Sequence, residues 1–306
     1  MNEIKKWQNH TGPVLDSVKG FDVIECEKCE FKHIIPIPTE KELKKVYEDE
    51  YYTDEKPLYI ERMNEDWEWW KLVNDDRYDS FEERLDEQRR RILDVGSGPG
   101  IFLKRGRERG WDVTGIEPSK QAFEYSSGTL GLNIHNAFLN DKSKTDIDSF
   151  DVIHMSEVLE HIPDPEGLLR IAHEKLNPGG LICLVVPNDY NSFQISLRKA
   201  CGYDPWWVAP PHHINYFSFE SLSGLFEKIG FRVILKESTF PIDMFLLMGK
   251  NYVGDDILGR ECHIMRKNFE LNLAKAEQNG TKRNIYSSLA KFGIGREIII
   301  MAEKYE

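Results

Sequence analysis

Arg91-Ile-Leu-Asp-Val-Gly-Ser-Gly-Pro-Gly100 is the stretch on which the architecture turns. Ile92 to Val95 reads as a buried strand that runs into glycines at the alternate positions 96, 98 and 100, and FLKRGRERG behind them reads as a helix. Glycines in such a row let the backbone turn sharply and let a ligand lie directly against it. The start of the following helix offers free N–H groups to an anionic group. A loop of this kind also occurs in dinucleotide-binding folds, whose fingerprint requires Gly-x-Gly-x-x-Gly/Ala. Ile101 stands at that last position and breaks the fingerprint. Glu117 closes the next strand, DVTGIE. A carboxylate at the tip of a second strand accepts two hydrogen bonds from a ribose diol and repels a 2′-phosphate.

Outward from the loop, residues 91–240 alternate short apolar runs with helical stretches. RILDVG, DVTGIE, LNIHNA, FDVIHM, GLICLVVP and FRVILKE read as strands; FLKRGRERG, SKQAFEYSS, PEGLLRIAHEKLN and SFESLSGLFEKIG read as helices. Such alternation predicts an α/β fold with a doubly wound sheet and crossover helices. The tail from Phe240 is mostly helical (FELNLAKAEQ, IYSSLAKF) and closes on REIIIMAEK, a predicted antiparallel last strand. The chain therefore divides into an amino-terminal arm (1–84), a core (85–240), and a helical insertion with the final strand (241–306), the insertion offering a lid or a homo-oligomer surface. Within the arm, residues 40–52 and the aromatic run DWEWWKLVNDDRYDSFEERLDEQRR have helical spacing, and two prolines in FKHIIPIPT bar a helix there.

The chain has 306 residues, 30% of them charged, with a net charge of −12. That balance excludes a broad cationic face for nucleic acid, which needs Lys and Arg to displace counterions. No apolar run approaches the length of a membrane span, and MNEIKKWQNHTG lacks the apolar centre of a signal peptide. Among five cysteines, Cys183, Cys201 and Cys262 are scattered, so no disulfide framework is expected. These features predict a cytoplasmic protein with no membrane and no nucleic-acid partner.

LDVGSGPG, GIEPS, FDVIHMSEVLEHIPDP and LNPGGLICLVVPN, in that order, resemble the blocks of a class I S-adenosylmethionine-dependent methyltransferase. The resemblance implies a seven-stranded Rossmann-like sheet with S-adenosylmethionine over the carboxyl ends of strands 1 and 2. It implies that Gly96, Ser97, Gly98 and Gly100 cradle the methionine part and that Glu117, beside Pro118, holds the ribose. Asn136, Ala137 and Phe138 would border the adenine, Met155 and Ser156 would close the pocket, and Asp94 would orient the glycine loop or a cofactor-bound water.

Two segments carry candidate chemistry. EVLEHIPDP gathers Glu157, Glu160, His161 and Asp164 just beyond the fourth strand, where three ligands in one loop could hold a cation or could simply cap the next helix; no metal is assigned. DPWWVAPPHHINYFSF sets Trp206, Trp207 and Tyr216 as a stiff acceptor-facing wall around His212 and His213. This segment resembles the strand 5 loop of sugar methyltransferases, which implies a histidine general base: His213 first, His212 second, His161 third. An imidazole near neutrality can take a hydroxyl proton.

Cys26 and Cys29 resemble one knuckle of the zinc ribbon that precedes the catalytic domain in such enzymes. Trp7-Gln-Asn-His10 stands where the other knuckle belongs. His10 and His33 could complete a makeshift set, but their spacing favours a metal-free relic. Tyr47, Tyr51 and Tyr52 resemble the arm that closes over cofactor and acceptor. The expected function is O-methylation of a small acceptor, a sugar or nucleotide-linked sugar of surface polysaccharide synthesis. The alternatives are C- or N-methylation, a phosphorylated or carboxylated acceptor, or a cofactor-binding regulator without catalysis.

Overall fold

The computed structural model describes residues 9–39, 42–43 and 59–305. Tyr47, Tyr51 and Tyr52, and the helix expected over 40–52 apart from Glu42 and Leu43, lie outside the described residues.

In chain order the arm gives β1 (Val14–Val18), β2 (Phe21–Glu25) and β3 (Lys32–Ile35), then α1 (Tyr59–Glu65) and α2 (Trp67–Glu82). The core follows with β4 (Arg91–Val95), α3 (Ile101–Glu108), β5 (Asp112–Ile116), α4 (Lys120–Glu124), β6 (Asn133–His135) and β7 (Phe150–Ser156). Next come α5 (Pro165–Lys175), β8 (Leu176–Pro187), α6 (Ser192–Cys201), β9 (Asn215–Tyr216), α7 (Phe219–Ile229) and β10 (Phe231–Ser238). The chain ends with α8 (Asp243–Leu247), α9 (Asp256–Lys275), α10 (Asn279–Lys291) and β11 (Glu297–Lys304).

The large sheet runs β10-β11-β8-β7-β4-β5-β6. Its β8, β7, β4, β5 and β6 are parallel, while β11 pairs antiparallel with both β8 and β10. This is the doubly wound seven-stranded sheet expected from the sequence, with REIIIMAEK as its antiparallel strand. Strands such as FDVIHM are buried along their whole length, as in parallel sheets covered on both faces. The helices obey their end signals: Ser218 and Ser221 form a capping box at the start of α7, and left-handed Gly230 ends it. Asn177 to Gly180 bulge out of register with β7, and Arg89 donates to the carbonyls of Pro178 and Gly179.

One face of the sheet buries Leu169, Leu222 and Phe226 of α5 and α7. The other buries Tyr78 and Phe81 of α2 with Phe102 and Trp111. Tyr78 stacks on Phe102 at 4.7 Å, and its hydroxyl donates to the Phe102 carbonyl. Asp75, Asp79 and Glu82, on the outer side of the same helix, pair with Arg109 of the turn after α3. The aromatic, highly charged run at 67–82 is thus a structural helix of the core.

A second sheet, β1-β2-β3-β9, is antiparallel throughout. Its last strand comes from the 204–219 segment, so arm and histidine-bearing loop share one sheet.

Candidate active site

The glycine loop is tied to the end of β5. The Gly96 and Ser97 N–H groups donate to the Ile116 carbonyl at 2.8 and 3.1 Å. Gly96 has φ +71, and a Cβ there would stand 2.5 Å from a Val158 methyl. Gly98 has φ +51, and its N–H donates to Glu117 Oε2 at 2.7 Å. Glu117 Oε1 accepts from the Ser119 N–H at 2.8 Å. Each carboxylate oxygen so keeps capacity for a further donor. Burial pushes the Glu117 carboxyl up to about 7, against the lowering effect of those two N–H groups. The Ser97 hydroxyl is buried and has no hydrogen-bond partner among the described residues. Leaving such a group unsatisfied is costly; Ser97 lines the cavity, while its hydroxyl oxygen lies against Gly115 of β5.

Gly98→Val is expected to abolish high-affinity cofactor binding. A β-branched residue at that φ is strained by about 1–3 kcal/mol, and its methyls fill the ligand's approach. Calorimetry showing wild-type affinity would remove the loop from the binding site.

The cavity behind this loop has a volume of about 300 Å³. Asp94, Gly96, Ser97, Gly98, Glu117 and Pro118 line one side, and Ala137, Phe138 and Ser156 continue it. Three expected contacts stand differently. Gly100 is the left-handed N-cap of α3. Asn136 donates its side-chain N–H groups to the Glu117 and Pro118 carbonyls at 2.8 and 3.1 Å, bracing the turn after β5. Met155 is buried in the sheet core. Asp94 Oδ1 lies 2.7 Å from His154 Nδ1, and the His154 ring stacks on Phe102 at 3.9 Å. His154 also lines the cavity; an imidazole at the centre of the strand FDVIHM was the signal for it.

Glu157 and His161 also line the cavity, whereas His212 and His213 are not among its lining residues. His161 Nδ1 lies 2.7 Å from the His212 carbonyl. A carbonyl only accepts, so Nδ1 carries the proton and Nε2 is the basic nitrogen. Nε2 stands 3.6 Å from Glu160 Oε1. The His213 ring meets His161 edge-on at 5.0 Å, and the ligand atoms of Glu160, His161 and His213 lie within 4.8 Å of one another. Asp164 has the capping role, accepting from the Gly167 N–H at 3.0 Å. The charged cluster is therefore drawn from two loops, not one.

The aromatic wall expected at 204–219 is placed elsewhere. Trp207 and Tyr216, with Trp206 against them, fill the apolar centre of the small sheet together with Val23 and Ile34. The Tyr216 hydroxyl accepts from the Ala209 N–H and donates to the His213 carbonyl, which shapes the histidine turn. They are apolar surfaces that the small sheet needs more than the cavity does.

The far wall comes from α2 and from the 241–306 insertion, through residues that sequence reasoning did not single out. Trp69 and Trp70 of α2 face Arg266 and Glu270 of α9 and Tyr286 of α10. Trp69 Nε1 donates to Glu270 Oε2, the Tyr286 hydroxyl donates to Glu270 Oε1 at 2.5 Å, and the Arg266 guanidinium lies 4.7 Å from the Trp69 ring. Arg266 is buried, and its Nε has no partner among the described residues.

A glycine loop at the carboxyl end of β4, a buried carboxylate at the end of β5, and an antiparallel strand set into a parallel sheet define a class I S-adenosylmethionine-dependent methyltransferase fold. The chain belongs to the family described as "Methyltransferase domain", whose profile matches residues 57–236. It is 31% identical over 116 residues to the ubiquinone biosynthesis O-methyltransferase of Pseudomonas syringae pv. tomato, covering 36% of this chain and 50% of that protein. To the Pseudomonas aeruginosa (strain UCBPP-PA14) protein of the same name it is 29% identical over 122 residues, covering 38% and 52%. The chain spans about half the length of the curated relatives it matches. A SAM-dependent methyltransferase from Archaeoglobus fulgidus superposes with a TM-score of 0.50 at 19% identity, over 76% of this chain and 93% of that one. A chain of the Haloferax volcanii complex between the Trm112 activator and a methyltransferase also gives 0.50, at 16% identity, over 84% and 96%. Both likenesses show the fold.

S-adenosylmethionine is the family's cofactor and the cofactor of this chain. The bare glycine backbone and the half-used Glu117 carboxylate fit it. Among the described residues no helix is long and apolar enough to cross a membrane.

Proposed function

We propose that the chain methylates a hydroxyl of a small acceptor, of the sugar or nucleotide-linked sugar class used in surface polysaccharide synthesis. The observation that carries this reading is that His161, whose basic nitrogen is Nε2, lines the cavity that the glycine loop and Glu117 also line. Bound S-adenosylmethionine supplies a methyl group on a positively charged sulfur. Gly96, Ser97 and Gly98 hold its methionine part, Glu117 its ribose, and Ala137 and Phe138 border its adenine. Alignment of acceptor and methyl supplies most of the rate in such an in-line displacement. The proton that the acceptor hydroxyl gives up on methylation would pass to His161 Nε2. Glu160, beside that nitrogen, stabilises the resulting cation, and His213 backs the ring. Tryptophan surfaces beside Glu270 and Tyr286 suit a polyhydroxylated acceptor. In this scheme residues 85–240 are the cofactor core, and the arm and the 241–306 insertion frame the acceptor.

One observation favours a second reading. The buried Arg266 with its partnerless Nε suits a phosphorylated or carboxylated acceptor, and a carboxylate or phosphate that itself takes the methyl needs no base. Incubating the full chain and S-adenosylmethionine with nucleotide sugars, phosphorylated metabolites and catechols distinguishes the two. Formation of S-adenosylhomocysteine with an oxygen-linked methyl on a sugar hydroxyl is the expected result. A methyl on carbon or nitrogen, or on a carboxylate, would replace the hydroxyl reading.

A further inference from the structure

We propose that His10, Cys26, Cys29 and His33 bind one zinc ion, and that this ion staples the small sheet to the loop bearing the acceptor-side histidines. The sequence favours a metal-free relic because the first cysteine knuckle is missing. The fold supplies two imidazoles in its place. One ligand atom from each of the four residues lies within 4.8 Å of the others. His10 Nδ1 is 3.5 Å from Cys26 Sγ, 3.3 Å from Cys29 Sγ and 3.1 Å from His33 Nε2. A tetrahedral zinc with bonds of about 2.3 Å to sulfur and about 2.0 Å to nitrogen sets N–S pairs about 3.5 Å apart and N–N pairs about 3.3 Å apart. The observed separations match both.

The surroundings are those of a ligand set. His33 Nδ1 lies 3.0 Å from the Ile34 carbonyl, so Nδ1 holds the proton and Nε2 turns its lone pair inward, as outer-sphere bonds do for metal-bound imidazoles. The Glu30 N–H donates to the Cys26 carbonyl at 2.9 Å, with Glu30 at φ +61. That turn brings both sulfurs to one side. His10, Cys26 and His33 are buried and Cys29 is half-buried. Two sulfur and two nitrogen donors in this shape select zinc among the common divalent ions.

The staple follows from the hydrogen bonds of His33's strand. β3 pairs His33 with Asn215, and the Ile34 N–H donates to the Ile214 carbonyl at 2.9 Å. The Asn215 amide donates to the carbonyls of Leu159 and Ile162 at 3.0 and 2.7 Å, and the Ile214 N–H donates to the Glu160 carbonyl at 2.8 Å. Two and three residues beyond His212, the Ile214 N–H and the Asn215 side chain thus clasp both sides of His161. This half of the proposal rests on the functional reading above; the zinc site does not.

The test is metal analysis of the full chain, purified reduced and supplied with zinc. About one zinc per chain is expected, falling at least tenfold in Cys26→Ser and in His33→Gln. Should those variants fail to fold, cobalt(II) titration of the metal-free wild-type chain reports thiolate-to-metal absorption in their place. A wild-type chain that takes up no zinc and gives no such absorption overturns the site, whatever its activity. Removing the metal is expected to lower turnover at least tenfold with cofactor affinity unchanged. Full turnover without metal overturns the staple and leaves both the zinc site and the catalytic assignment standing.

Discussion

His161→Asn turns over roughly 10²–10⁴-fold more slowly than the wild-type enzyme, the usual weight of a general base, and binds S-adenosylmethionine as before. Asparagine is the informative substitution because its amide N–H can still donate to the His212 carbonyl, which His161 Nδ1 faces at 2.7 Å. The turn is preserved and only the basic nitrogen is lost. His213→Gln should cost less, since His213 meets the His161 ring edge-on and is not among the residues lining the cavity. Turnover of the two single variants at saturating cofactor separates the roles. A full-rate His161→Asn enzyme beside a crippled His213→Gln enzyme would return the base to His213. Full rates in both would indicate an acceptor that is already anionic.

Removing the Glu117 carboxylate should produce a large loss of cofactor affinity, short of the one expected for Gly98→Val. Its two oxygens already hold the glycine loop and the Ser119 N–H, so the ribose hydroxyls would add charge-assisted bonds worth about 1.5–3 kcal/mol each. Glu117→Ala should therefore weaken binding by roughly 10–150-fold per bond lost. A sharper signature is pH. Burial raises the Glu117 carboxyl to about 7, and a ribose diol donates to the ionised form. Affinity should climb as pH rises through 7, level off above it, and fall by up to roughly tenfold per unit below. Without cofactor the sign for stability is opposite. The folded chain keeps a proton that the unfolded chain releases in the ordinary carboxylate range, so this group's contribution is full at low pH and is lost as pH rises towards about 7. Calorimetry from pH 6 to 8 on wild type and Glu117→Gln checks both: a flat wild-type profile would mean that the carboxylate does not meet the ribose.

The parallel core was readable because its information is local. Runs such as RILDVG and GLICLVVP are short, mostly apolar and punctuated by glycine or proline, and each became a strand. The glycine loop and Glu117 were readable for the same reason, being adjacent turns on neighbouring strands. Long-range pairing was not. β9 is two residues long and finds its partner in the distant β3, so nothing in HHINYF announces that it belongs with the arm. Arg266 and Glu270 look like the solvated side of an amphipathic helix; only their contact with Trp69 makes them buried groups. An aromatic that fills a core has the same sequence signature as one that lines a pocket. That is why Trp206, Trp207 and Tyr216 read as an acceptor wall and proved to be the packing of the small sheet.

The order of the large sheet also bears on how the molecule is made. β11, the last strand along the chain, lies between β8 and β10. Until it emerges from the ribosome, those two strands cannot meet; a gap of two strand spacings, about 9–10 Å, separates them. The nascent chain therefore carries open edges on β8 and β10, with Ile182, Leu184 and Val186 deprived of Ile298 and Ile300 beside them in the same core. Unpaired edges of this kind are templates for aggregation. Closure of the sheet must accordingly wait for β11 to leave the ribosome, and a chaperone that shields the β8 edge would act between the emergence of β8 and that of β11.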